Sequence, residues 1–96
     1  MKIPKTLKIG NVTYTVGNLQ TDNAKRMGSS HCQEQSIKIK DSLSKDKKEE
    51  TFIHEIVHQI LDIADFEQES DDEKLVTCIA NGVYQVFKEN GFLKDE

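Results

Sequence analysis

Hydrophobic and polar residues alternate in short runs along the first half of the chain, which is the pattern of half-buried β-strands. Residues 7–16 hold two such runs, and Gly10 and Asn11 between them form a two-residue hairpin signal. A third run covers residues 37–40, and we expect it to pair with residues 27–32 across a short turn. The pattern predicts an antiparallel sheet whose strand at residues 37–40 offers an edge to an extended peptide.

The second half of the chain carries the period near 3.6 that is typical of amphipathic helices. The first helix is predicted over about residues 44–64, with Ser44 or Asp46 as its N-cap. The second is predicted over about residues 70–90 and ends before Gly91. The apolar positions are Ile53, Ile56, Val57, Ile60, Leu61 and Ala64 in the first helix, and Leu75, Val76, Ile79, Ala80, Val83, Val86 and Phe87 in the second.

Together these elements predict one α+β domain over residues 1–96, with strands and loops in about residues 1–43 and two packed helices after them. A chain of 96 residues can bury only a modest core. A metal ion that ties two elements together would therefore contribute to its stability.

The charge and hydropathy of the chain argue against several classes of function. The net charge is −4, whereas a nucleic-acid-binding domain needs a cationic face to neutralise phosphates. No apolar run approaches the ~20 residues of a membrane span, and the first residues lack the apolar run of a signal peptide. We therefore expect a cytoplasmic protein. Cys32 and Cys78 would then be reduced and pack as small apolar residues.

The segment from His54 to His58 reads H-E-x-x-H and falls in the middle of the first predicted helix. Residues four apart lie on one face of a helix, so the two imidazoles can bind one metal ion. Both histidines lie at the border of the apolar stripe, where the helix passes from core to cleft. Glu55 is turned by ~100° from His54 and points away from the stripe, which places it to act on a water. The spacing predicts a zinc site with Glu55 as general base, against the simpler interpretation of two solvated histidines on a helix rim.

Catalytic zinc usually has three protein ligands, so a third must come from outside the first helix. Glu73 is the preferred candidate, because it lies at the edge of the apolar face of the second helix, in line with Ala80 and Tyr84. Ser70 and Glu73 also have the spacing of a capping box, which would instead tie Glu73 to the start of its own helix. His31 is the second candidate. The other acidic candidates are Glu67, Glu69, Asp71 and Asp72.

The residues around the motif resemble the small ImmA/IrrE-type zinc peptidases, in particular the minimal forms that phages and prophages encode. The resemblance rests on TFIHEIVHQIL at residues 51–61, DEKLV at residues 72–76 and IANGVYQV at residues 79–86. Residues 3–10 and 35–39 also fit, so the similarity covers most of the chain.

This resemblance implies a zincin-like fold and a gluzincin site, in which His54, His58 and Glu73 hold zinc and Glu55 is the general base. Many larger gluzincins carry an aspartate four residues after the glutamate ligand, where it supports a histidine. In this chain that position is Thr77.

These features predict a zinc metallopeptidase that cleaves a protein or peptide substrate with narrow specificity, such as a regulatory protein. The metal would activate a bound water, and Glu55 would take its proton and pass it to the leaving amine. Tyr84 or His31 would help to stabilise the oxyanion, although Tyr84 equally suits a core position with its hydroxyl at the rim. The alternative is a non-catalytic, zinc-stabilised module that binds a partner protein, which a fourth protein ligand on the metal would favour.

Overall fold

Four strands and three helices make up residues 1–94, the part of the chain that the computed structural model describes. The strands are β1 (Thr6–Ile9), β2 (Val12–Asn18), β3 (Gly28–His31) and β4 (Ser36–Ile39). The helices are α1 (Lys45–Ile63), α2 (Glu67–Ser70) and α3 (Glu73–Glu89). The predicted α+β class is confirmed, and α2 is a short helix that the hydrophobic pattern did not reveal. Residues 95 and 96 of the predicted domain lie outside the described residues.

The strands form one sheet in the order β1-β2-β4-β3. β1 and β2 form the predicted hairpin, and Gly10 in its turn adopts a φ of +61°, which glycine tolerates without strain. β3 and β4 form the second predicted hairpin. β2 and β4, however, are parallel, with Val16 opposite Ile37, so the expectation of an antiparallel sheet is wrong. After β2 the chain crosses to the far edge of the sheet before it turns back, which brings β4 beside β2 in the same direction.

The strand order also decides which strand is an edge. β4 is hydrogen-bonded on both sides, so the edge expected at residues 37–40 is wrong, and β3 is an edge strand instead. β3 approaches α1 closely because Gly28 has no side chain. A Cβ atom on Gly28 would lie 2.6 Å from Cγ2 of Thr51 and 3.1 Å from the carbonyl oxygen of Lys38. The edge of the sheet therefore lies beside the helix that carries the HExxH motif.

Helix α1 lies between the sheet and α3 and contributes to a buried cluster on each side. Ile37 and Phe52 belong to the cluster against the sheet, and Ile53, Ala80 and Tyr84 form the cluster against α3. Among the described elements α3 packs on α1 and α2 but not on the sheet, so only one edge of its predicted apolar face is buried. The apolar residues of α3 that stay exposed are Leu75, Ile79, Val83, Val86 and Phe87.

The buried face of α1 is more polar than the hydrophobic pattern predicts. Glu49, Glu55 and Gln59 are buried, whereas Ile60, which was expected in the core, is half exposed. A buried polar group is costly unless it is hydrogen-bonded. The hydrogen-bond partners of these three side chains are therefore described with the site below.

The ends of the helices agree only partly with the expectations. Ser44 caps α1 by accepting a hydrogen bond from the amide of Lys47 at 3.2 Å, as predicted. Asp72 rather than Ser70 caps α3, so the alternative of a capping box between Ser70 and Glu73 is not found. Cys32 and Cys78 are both exposed and unbonded, so the expectation that they are buried is also wrong. No helix within residues 1–94 has the length and apolar character needed to cross a membrane.

Candidate metal centre

Helix α1 places the two histidines of the motif side by side. His54 and His58 are four residues apart, and the centroids of their rings are 4.9 Å apart. Both side chains are partly buried and line the same cleft. They therefore lie at the border between core and solvent, where the helical phase predicts a ligand pair.

Glu73 reaches the histidines from the first turn of α3. One of its carboxylate oxygens lies 3.1 Å from Nε2 of His54, and the other lies 2.7 Å from Nε2 of His58. The capping-box interpretation of Glu73 is wrong, because Asp72 caps the helix by accepting from the amide of Leu75 at 3.2 Å. The phase argument, rather than the capping pattern, gives the observed place of Glu73.

The donor atoms of His54, His58 and Glu73 fit a metal ion. One ligand atom from each residue lies within 4.8 Å of the other two. Three ligand atoms at ~2.0–2.1 Å from a tetrahedral ion lie ~3.3 Å apart, which is within this 4.8 Å limit. Two imidazoles and one carboxylate also form a ligand set that suits zinc better than the all-oxygen sets of calcium or magnesium. These three side chains could therefore hold a metal ion.

Ser70 supports the more buried histidine in a way that the sequence did not reveal. Its hydroxyl donates to the backbone carbonyl of His58 at 3.2 Å and so has no second hydrogen to give. Nδ1 of His58 lies 3.2 Å from the same hydroxyl oxygen and is therefore the donor, which leaves Nε2 to face Glu73. Such support fixes the orientation of a ligand ring. Ser70 thus contacts both the ring and the backbone of His58 from outside helix α1.

Glu55 does not have the exposed position that its helical phase suggested. It is buried beneath the edge strand β3, and the hydroxyl of Ser30 donates to its Oε1 at 2.6 Å. Within residues 1–94 no hydrogen bond is found to Oε2, and Glu55 lines the same cleft as the two histidines. One oxygen of the carboxylate is therefore bonded to Ser30, and the other has no hydrogen-bond partner among the described residues.

The cleft has a volume of about 670 Å³ and is open to solvent. One wall is the edge strand, with Gly28, Ser29 and Ser30, and the floor is α1. The opposite wall comes from the start of α3 and the turn before it. The candidate ligands and the buried glutamate thus face a groove that runs beside an edge strand of the sheet.

Two side chains that the sequence offered for this site lie elsewhere. Tyr84 does not line the cleft; its hydroxyl donates to Glu49 at 3.0 Å inside the cluster between α1 and α3. Burial, and next the hydrogen bond to Glu49, raise the pKa of Tyr84. His31 is exposed at the end of β3 and is not among the grouped ligands of the described residues. Neither is therefore placed to stabilise an oxyanion or to serve as the third ligand.

Ser30, Gln59 and Ser70 are the residues of the site that the sequence interpretation missed. Ser30 and Ser70 contact the motif from 25 and 12 positions away in the chain, and Gln59 acts through Ser30, so no local spacing identifies these partners. A polar residue at a position of α1 that faces the sheet was the one available signal, and Gln59 carries it.

No protein-family model, curated protein or solved structure matches this chain. The resemblance to ImmA/IrrE-type peptidases therefore stays a prediction from the residues.

Proposed function

We propose that this protein is a zinc-dependent metallopeptidase of the cytoplasm, in which His54, His58 and Glu73 hold the ion. The observation that carries the proposal is the placement of Glu55. A buried carboxylate with one available oxygen lies in the same cleft as a three-residue ligand set. Among the described residues only three ligands converge, which suits a catalytic site with one position left for solvent or substrate.

Glu55 has the position that a general base and acid needs. When bound, zinc would supply a Lewis acid that makes a water molecule more acidic and polarises the substrate carbonyl. Glu55 takes a proton from the attacking water as the oxygen of that water bonds to the carbonyl carbon. It then gives the proton to the nitrogen of the leaving amine as the C–N bond breaks. Ser70 keeps the ring of His58 in the orientation that this arrangement requires.

The edge strand supports a polypeptide as the substrate. β3 is paired on one side with β4, and its residues Gly28, Ser29 and Ser30 line the cleft. An unpaired strand edge presents N–H and C=O groups to which an extended peptide can add. We propose that the substrate lies along β3 with its scissile bond in front of Glu55. The resemblance to ImmA/IrrE-type proteins adds a regulatory protein as the natural substrate.

One observation favours the alternative of a zinc-stabilised interaction module. α3 leaves five apolar side chains exposed along one face, and such a face suits contact with a partner protein. The metal ligands come from both α1 and α3, so an ion there would also fix the orientation of that face. In this case Glu55 would serve only as a buried acid bonded to Ser30.

The experiment combines metal analysis with cleavage assays on three proteins. Wild type and Glu55→Gln should each carry about one zinc per chain, and the double variant His54→Ala/His58→Ala should carry none. The distances from Glu73 to the two histidines would also suit ion pairs with protonated imidazoles and no metal. Metal analysis distinguishes a metal site from such ion pairs. Wild type should cleave members of a broad peptide library read by mass spectrometry, and Glu55→Gln should not. Full zinc with no cleavage by wild type would favour the module, and no zinc would reject both.

A further inference from the structure

A chain of hydrogen bonds leads from the core of the sheet to Glu55. The hydroxyl of Tyr14 donates to Oε1 of Gln59 at 2.7 Å, and Nε2 of Gln59 donates to Oγ of Ser30 at 3.0 Å. Ser30 in turn donates to Oε1 of Glu55 at 2.6 Å. Tyr14 and Gln59 are each only 1% exposed, so water does not compete for the first bond. Three elements, β2, β3 and α1, contribute to this chain.

The direction of each bond is fixed by its neighbours. Nε2 of Gln59 also lies 3.4 Å from the carboxylate of Asp62, which can only accept a hydrogen bond when it is ionised. The amide of Gln59 therefore points its nitrogen towards Asp62 and Ser30 and its oxygen towards Tyr14. Because Ser30 accepts from Gln59, its one hydrogen is directed to Glu55.

The result is a carboxylate held by one oxygen. Rotation of Glu55 would break its bond to Ser30 inside a largely buried space, where a lost hydrogen bond to a charged group is costly. Such a bond therefore selects the conformer in which Oε2 is left for the cleft. A misplacement of ~1 Å in a catalytic group can lower a rate by ~100-fold, so this selection matters for catalysis.

We propose that Ser30 is a positioning residue for Glu55, and that Gln59 and Tyr14 fix the direction of its hydroxyl. This inference rests on the proposed function for its catalytic consequence, but not for the geometry. The alternative is that Ser30 only satisfies a buried acid, in which case any well-folded variant would keep Glu55 in place and active.

The test compares Ser30→Ala with Ser30→Thr, which keeps the hydroxyl, and with Ser36→Ala as a matched control. Ser36 is also a buried serine of the sheet, but within the described residues its hydroxyl has no hydrogen-bond partner. Crystal structures of the full chain should show the Glu55 carboxylate displaced or in several conformers in Ser30→Ala alone. With a peptide that wild type cleaves, Ser30→Ala should lower kcat by ~10–100-fold with KM within about twofold. Ser30→Thr should restore most of kcat.

A second variant covers the case in which Ser30→Ala folds poorly. Tyr14→Phe removes the donor to Oε1 of Gln59, and the side-chain amide signals of Gln59 should then shift and broaden in NMR spectra. An unmoved Glu55 carboxylate in Ser30→Ala, or equal losses of kcat in Ser30→Ala and Ser36→Ala, would overturn the proposal. If wild type cleaves no peptide, the proposed function fails, and the position of Glu55 in the variant structures still decides the positioning role.

Discussion

The two buried glutamates of helix α1 are similarly buried, but they differ in how many of their carboxylate oxygens are hydrogen-bonded. Glu49 is 4% exposed and Glu55 is 7% exposed. Both oxygens of Glu49 are paired, one with the α-ammonium of Met1 at 2.8 Å and the other with the hydroxyl of Tyr84 at 3.0 Å. Glu55 lines the cleft and has one oxygen bonded to Ser30, while its other oxygen has no hydrogen-bond partner among residues 1–94. Burial alone therefore does not distinguish an acid that stabilises the fold from one that is placed for chemistry.

The difference follows from what packs on each face of the helix. Glu49 faces α3 and the N-terminus, where a positive charge and a phenol satisfy it completely. Glu55 faces the edge strand β3, where the hydroxyl of Ser30 donates to one of its two oxygens and both residues line the cleft. We infer that unmatched hydrogen-bonding capacity next to a ligand set identifies the functional acid.

The largest expected effect separates the two acids by activity. Glu55→Gln should lower peptidase activity by ~10²–10⁴-fold, because the amide cannot take a proton from water. Glu49→Gln should leave activity within a few-fold of wild type at a temperature where circular dichroism shows both variants folded. The assay is cleavage of a peptide that wild type cuts. Equal losses in the two variants would remove the functional distinction between them.

The second effect separates the two acids by stability. Glu49→Ala should lower the free energy of unfolding by ~2–3 kcal/mol, because it removes the buried carboxylate that accepts hydrogen bonds from the Met1 ammonium and the Tyr84 hydroxyl. Glu55→Ala should cost no more than ~1.5 kcal/mol, since Ser30 keeps its bond from Gln59. Urea unfolding followed by circular dichroism measures both. A larger loss in Glu55→Ala would reverse the assignment of Glu49 as the structural acid.

The third effect concerns the proposed zinc ion, whose candidate ligands line the same cleft as Glu55. Zinc that binds only the folded chain should add ~2.7 kcal/mol at a free concentration 100 times its dissociation constant. Because Glu49 lies outside the ligand set, the zinc effect and the Glu49→Ala effect should add to within ~0.5 kcal/mol. The measurement is unfolding with and without a chelator, with metal loss checked. Unchanged stability after confirmed metal loss would argue against a site that joins α1 and α3.

The smallest effect is a loss of stability at alkaline pH, part of which arises at Tyr84, the hydrogen-bond partner of Glu49. Burial and the bond to Glu49 raise the pKa of Tyr84 above its ordinary value of 10.0. The stability that Tyr84 contributes is therefore fully present below pH 10 and lost as the pH rises through the higher folded-state pKa. Tyr84→Phe should reduce the loss without abolishing it, because burial also raises the pKa of Tyr14, helped by Cys32 and Asp62. An identical alkaline loss in wild type and Tyr84→Phe would contradict this.

The local features of the candidate site could be predicted from the sequence, whereas their partners could not. The i, i+4 spacing of His54 and His58 and the phase of Glu73 are properties of single helices, so the period of 3.6 residues is sufficient for both. The parallel pairing of β2 with β4 depends on how residues 19–27 cross the sheet, and no local pattern encodes that path. For this reason the edge strand was misplaced.

The burial of Glu55 was missed for the same reason as the edge position of β3, since both depend on where the sheet packs against α1. The helical phase correctly turned Glu55 away from the apolar stripe, but β3 covers that side of α1. The bond between Ser30 and Glu55 joins residues that are 25 positions apart in the chain, so no helix or hairpin rule connects them. Likewise, Ser70 matched a capping pattern while its hydroxyl bonds to His58.

The absence of a Cβ atom at Gly28 determines how closely β3 approaches α1. The edge strand can lie within hydrogen-bonding reach of Glu55 only because nothing projects from Gly28 towards Thr51 and the Lys38 carbonyl. A methyl group at Gly28 would push β3 away from α1. Ser30, two residues after Gly28, would then lie farther from the carboxylate of Glu55. The distance between the edge strand and Glu55 thus depends on Gly28 having only a hydrogen atom as its side chain, at a position far in sequence from the candidate metal ligands.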